Sequence, residues 1–192
     1  MTTPLRVTTG RLSVPVTGRD HIRGPVSAPV TLLEYGDYQC RYCADAHPAV
    51  RDLLEQRPDG VRFVFRHFPL TNVHACAELA AETVEAAACR DRFWQMHDWL
   101  FEHREAFEPG HVGVAAQQLG LPPDAIDREV EEHLYLDRIQ RDFAGGIRSG
   151  VGGTPTFYVN DSRHDGGYTL PELLAAVDAA KREHSSRDAA AG

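Results

Sequence analysis

Two apolar runs rich in β-formers, VTLLEYG (30–36) and VRFVFRHF (61–68), limit what this chain can fold into. The first is nearly continuous in apolar residues, as in a strand buried on both faces, and the second reads as another strand. The intervening segment, to about Gln56, spaces Ala44, Ala46, Val50, Leu53 and Leu54 as a helix does. Pro48 lies inside that helix and predicts a kink, because it removes one backbone donor. Strand, helix and strand over ~35 residues make a βαβ unit, so the two strands should run parallel with a right-handed crossover.

Beyond the second strand the period changes. Residues 73–148 read as helix: Cys76, Ala80, Val84 and Ala87 share one face, and Phe93, Met96 and Leu100 another. Further helices fit 111–119, 123–134 and 136–147, with Gly120 and the Pro122-Pro123 pair as stops. Phe93, Trp94, Met96 and Trp99 read as core of this helical block. The chain returns to strand at TFYVN (156–160), and NDSRHDGG offers turn residues before a last short strand. Thr169 and Glu172 form a Thr-x-x-Glu capping box ahead of a final helix. RLSVPV (11–16) is expected as a short edge strand, since Pro15 argues against a central place. The order βαβ, helical block, ββα defines an α/β fold with a mixed sheet. Its core comprises 12–72 and 149–183, its inserted helical subdomain 73–148, and its flexible termini 1–11 and 184–192.

Composition narrows the function classes. A net charge of −8 gives no electrostatic basis for nucleic-acid binding. No run of ~18 apolar residues exists, so no spanning helix and no membrane partner are expected. The stretch MTTPLRVTTGRLSVPVTGRD lacks the ~7–15-residue apolar run of a secretory signal. With Met1 as the start, a cytoplasmic location is expected. Four cysteines are too few for a disulfide scaffold in a chain of 192 residues.

Two of them are spaced Cys-x-x-Cys, in EYGDYQCRYCADAHP (34–48). That spacing fits a redox couple, half of a zinc site, or two buried thiols. Cys40 directly follows the first strand and opens the helix, where free N–H groups and the positive dipole end favour a thiolate. Arg41 adds a cation beside it, while Asp37 and Glu34 oppose it. A pKa of roughly 5–7.5 is expected for Cys40. Cys43 lies one turn further in, shielded by the helix. A structural zinc site needs a second close pair. Cys76 and Cys89, thirteen residues apart on a helix, are separated by ~20 Å and cannot supply it. No metal is therefore expected. The histidines show no metal-ligand spacing, and His67 and His74 are expected to be solvated loop residues. Tyr38 and Tyr42 are expected on the rim. Cys76, after the loop that leaves the second strand, is either a third redox thiol or a small core residue.

With these residues assembled, the chain resembles the thioredoxin superfamily, in its bacterial DsbA-like branch, over about residues 12–180. Glu34 stands where that family keeps a buried acid beneath the disulfide, and Pro48 where the active-site helix kinks. RHFPL (66–70) with FWQMHDWLFEH (93–103) is similar to the DsbA-like subfamily. SGVGGTPTFYVN (149–160) is similar to the segment that carries the family's cis-proline, here Thr154-Pro155. The dipeptide Arg41-Tyr42 departs from the Gly-Pro of thioredoxins and the Pro-His of DsbA, so redox direction is not carried over.

The resemblance implies a thiol–disulfide oxidoreductase with Cys40 as nucleophile, Cys43 as resolving thiol and Glu34 as proton shuttle. Thr154, Pro155, Gly153, Arg41, Tyr42 and Phe68 are expected to bind substrate. No cofactor is expected. The partners are a disulfide-containing protein or a low-molecular-weight thiol, and a thiol recycling system. A potential of about −180 to −260 mV is expected, favouring reduction or isomerisation over dedicated oxidation. The alternative is a non-catalytic binding or redox-sensor module on the same fold.

Overall fold

A computed structural model describes residues 10–191, with side chains through Ser186. The expected flexible segment 1–11 falls almost wholly outside the described residues. Five strands form one sheet in the order β1-β3-β2-β4-β5. They are β1 (His21–Arg23), β2 (Val30–Gly36), β3 (Val61–His67), β4 (Thr156–Val159) and β5 (Ser162–Arg163). β2 and β3 pair in parallel across α1 (Arg41–Gln56), as the βαβ reading requires. β1 joins β3 antiparallel, and β4 joins the other side of β2 antiparallel. The sheet is thus mixed, with β2 at its centre.

β-Strand alternation sends successive side chains to opposite faces. Val30, Leu32, Phe63, Phe65 and Phe157 enter the larger core, beneath α1 and the helical block. Leu33, Tyr35, Val64 and Tyr158 enter a smaller core on the other face. The final helix α7 (Leu170–Ala191) adds Leu173 and Val177 to the larger core. The main-chain N–H of Thr169 donates to the Glu172 carboxylate, as a capping box does. The helix continues past the boundary expected at 183, to Ala191. Between β3 and β4 lie α2 (Ala77–Ala88), α3 (Phe93–Glu102), α4 (Val112–Gln118), α5 (Pro123–Glu131) and α6 (Leu136–Ser149). α6 ends on Gly150, whose φ of 85° favours glycine.

Two expectations need correction. Residues 11–16 form no edge strand; Arg11 alone makes an isolated bridge to Ser162. The carbonyls of Val14 and Pro15 accept instead from the buried Arg66 guanidinium, which also grips Asp20 at 2.7 Å. That side chain takes the place of a strand partner, and His21–Arg23 becomes the edge. The last strand also lies inside the segment read as turn. Asn160, at φ 56°, supplies the tight reversal, so pairing resumes at Ser162.

Candidate active site

The ends of three chain segments meet above the larger core. β2 runs out at Gly36, and Asp37 begins the turn that delivers Cys40. One Asp37 oxygen accepts from the Gln39 N–H at 2.8 Å, an Asx-type turn. The other accepts from the Leu70 N–H at 2.8 Å and meets His74 Nδ1 at 2.7 Å. Asp37 thus faces the loop after β3, not the thiolate it was expected to oppose. Gln39 accepts from the Cys76 N–H, which ties the start of α2 to the residue beside Cys40.

Cys40 is the N-cap of α1, with extended backbone at φ −70° and ψ 121°. Its thiol lies 3.3 Å from the Thr154 carbonyl oxygen. The Thr154-Pro155 peptide is cis. Cys40 and Cys43 are close and not bonded to each other. Hydrogen bonding from Cys43 lowers the Cys40 pKa to about 5. Burial resists that shift, while the N–H groups of Cys43 and Tyr42 add to it. The value is at the low end of the expected range; the helix-start N–H groups contribute as expected, but the largest favourable cause is Cys43. Arg41 is exposed, and its guanidinium lies over the Tyr42 ring at 5.4 Å.

Cys43 is fully buried, and burial pushes its thiol pKa well above the ordinary range. Glu34 lies below on the α1 face of β2, opposite Phe65 and Phe157 in the pairing register. Burial raises its carboxyl to about 8; a Cys43 hydrogen bond opposes this and the Cys40 charge adds to it. One Glu34 oxygen is buried without a partner. A Cβ at Gly36 would collide with the Phe65 ring and stand 2.9 Å from that oxygen, so glycine makes room for the acid.

Of the residues expected to bind substrate, Thr154, Pro155 and Gly153 are half-buried beside Cys40, and Arg41 and Tyr42 are exposed. Phe68 is misplaced by the sequence reading. It is 2% exposed, stacks on Phe143 at 4.3 Å, and belongs to the smaller core. β3 ends with its last odd-numbered partners on one face and Phe68 turned to the other, so it forms no rim. Tyr38 is also buried, with its hydroxyl 3.0 Å from His97 Nδ1.

His67, expected in solvent, is 1% exposed and meets Glu85 at 2.7 Å. His21 and Arg138 converge on the same Glu85 oxygen. Asp37 entered the sequence reading only as a charge opposing the thiolate, and Gln39 and Glu85 escaped it. The Gly-Asp-x-Gln-Cys order carried a signal for the first of these, because Asp after a strand often closes an Asx turn. A cavity of about 1070 Å³ lies elsewhere, between the 14–20 segment and α6, and does not touch the cysteines.

The fold and the asymmetric thiol pair define a thioredoxin-like protein of the kind built around a Cys-x-x-Cys helix start. A thioredoxin family model matches residues 16–179, and the chain belongs to that family. BdbD from Bacillus subtilis superposes with a TM-score of 0.81 at 22% identity, covering 92% of this chain and 99% of that one. A thioredoxin-like oxidoreductase from Silicibacter pomeroyi gives 0.75 at 26% identity, covering 86% and 94%. Among curated relatives, Na(+)/H(+) antiporter NhaA 1 of Salinispora arenicola is 46% identical over 170 residues, 88% of this chain and 26% of that protein. Na(+)/H(+) antiporter NhaA of Herminiimonas arsenicoxydans is 37% identical over 163 residues, 85% and 26%. The chain spans about a quarter of the length of these curated relatives.

Proposed function

We propose that this protein is a thiol–disulfide oxidoreductase working through the Cys40–Cys43 couple. The observation that carries the reading is the split between the two thiols: one favours its anion, and the other is buried and protonated above a carboxyl of pKa about 8. In the reducing direction, the Cys40 thiolate attacks one sulfur of a substrate disulfide and expels the other as thiolate. Ionised Glu34 takes the Cys43 proton, and Cys43 attacks the Cys40 sulfur. The second substrate sulfur leaves, and the protein is left with a Cys40–Cys43 disulfide. Two electrons have passed to the substrate. Thr154, Gly153 and the exposed Arg41-Tyr42 pair hold the substrate chain against the sulfur.

A Cys40 pKa of about 5 falls between the ~7 of thioredoxin and the ~3.5 of DsbA. It supports an intermediate potential, of about −180 to −260 mV, and a reductase or isomerase role. That direction requires a reducing compartment, such as the cytoplasm, and a thiol system that restores the dithiol. The substrate is a protein disulfide or a low-molecular-weight one.

Cys43→Ser should accumulate mixed disulfides through Cys40, and Cys40→Ser should not. Equal trapping by both, or by neither, removes the assigned order. A potential above about −150 mV in glutathione buffers removes the reductase direction. The likeness to one quarter of proteins named as antiporters favours a second reading, a redox-sensing module without turnover. Sustained turnover with a thiol donor excludes it.

A further inference from the structure

Two histidines approach each other behind the active-site helix. His47 lies on α1 one turn beyond Cys43, and His97 lies on α3. The His47 side chain is 8% exposed and His97 as a whole 1%. Asp98 stands beside them. One ligand atom from each of the three lies within 4.8 Å of the others. His47 Nε2 is buried and has no hydrogen-bond partner. Its separation from Asp98 Oδ1 is 3.5 Å, long for an N–H···O bond. A tetrahedral ion with bonds of about 2.0–2.1 Å separates its ligands by ~3.3 Å.

We propose that His47, His97 and Asp98 form a site for one divalent transition-metal ion of the zinc type. Two imidazoles and a carboxylate suit such an ion, and three protein ligands leave a fourth position to water. Tyr38 engages His97 Nδ1, fixing the ring and directing Nε2 to the ion. Asp98 is one-third exposed and provides the side from which an ion enters. The charged groups facing the pair are Arg23, held in two hydrogen bonds by Asp98, together with Arg51 and Glu102.

The other histidine cluster lacks this character. There His21 Nε2 and His67 Nε2 already meet one Glu85 oxygen at 2.8 and 2.7 Å, whereas His47 Nε2 has no hydrogen-bond partner.

The test uses the full chain with the Cys40–Cys43 disulfide formed and with Cys76→Ser and Cys89→Ser, so that no thiol binds metal. Zn²⁺ is titrated by calorimetry and Co²⁺ by visible absorption. One equivalent should bind, with the intense cobalt bands of four-coordination. His47→Phe keeps the stack on Phe101 and should weaken binding at least tenfold. Asp98→Asn keeps an acceptor for Arg23 and should do the same. If His47→Phe unfolds, Asp98→Asn alone decides. No uptake by the parent, or unchanged affinity in a folded variant, overturns the site.

Discussion

Replacing Cys43 by Ala tests what holds the Cys40 thiolate. The largest favourable influence on Cys40 is the hydrogen bond from Cys43, acting against burial of a residue that is 4% exposed. A hydrogen bond to a charged acceptor contributes about 1.5–3 kcal/mol, and each pKa unit corresponds to about 1.4 kcal/mol. Its loss should therefore raise the Cys40 pKa by about 1–2 units, from about 5 to roughly 6–7. The N–H groups of residues 42 and 43 remain, so the value stays below the ordinary thiol range. Water entering the space left by the thiol is a weaker, mobile donor and trims the shift. The same reasoning fixes a pH dependence for the reduced protein. Because the folded pKa is depressed from 9.0 to about 5, the stabilisation is complete above 9 and is lost as pH falls to 5. At pH 7 about two of those four units are expressed, which favours the dithiol by ~2.7 kcal/mol and raises the potential by ~60 mV. Thiolate absorbance against pH, checked by the pH profile of alkylation, measures both proteins. A Cys43→Ala pKa unchanged from the parent refutes the assignment of Cys43 as principal donor.

Glu34→Gln should slow resolution of the mixed disulfide by about tenfold or more in quenched-flow trapping, since the buried Cys43 loses its base. The Glu34 carboxyl, raised from 4.5 to about 8, gives stability that is full below pH 4.5 and lost as pH rises through 8. The Gln variant should lack that decline between pH 4.5 and 8 in denaturant melts. Asp20→Ala strands the buried Arg66 cation and should cost about 3–5 kcal/mol in chemical denaturation. Phe68→Ala should cost about 3–5 kcal/mol by emptying the smaller core, while leaving the KM for a disulfide substrate unchanged.

The parallel strand pair, the inserted helices and the helix-start cysteine were legible because each follows from period and spacing within one segment. The causes of the site's electrostatics were not. Arg41 is adjacent to Cys40 in sequence, yet its side chain turns outward, while Thr154 arrives from over a hundred positions away. Phe68 illustrates the second kind of error. A residue at a strand end is assigned to rim or core by which face it takes, and one step of alternation decides it. The buried histidines were missed because their partners Glu85, Tyr38 and Asp98 are set by packing between separate elements, which no local pattern records.

The helical insert is joined to the sheet by polar contacts as well as by apolar surface. His67 on β3 meets Glu85 on α2, Tyr38 meets His97 on α3, and Gln39 meets the first residues of α2. A graft of residues 73–148 from a relative would bring its own α2 and α3 and leave these core groups facing strangers. A charge such as that of Glu85 tolerates no apolar substitute opposite it. Exchange of the insert therefore has to carry positions 21, 38, 39 and 67 along with it, and a chimera that omits them should fail at the seam even with a well-formed insert and sheet.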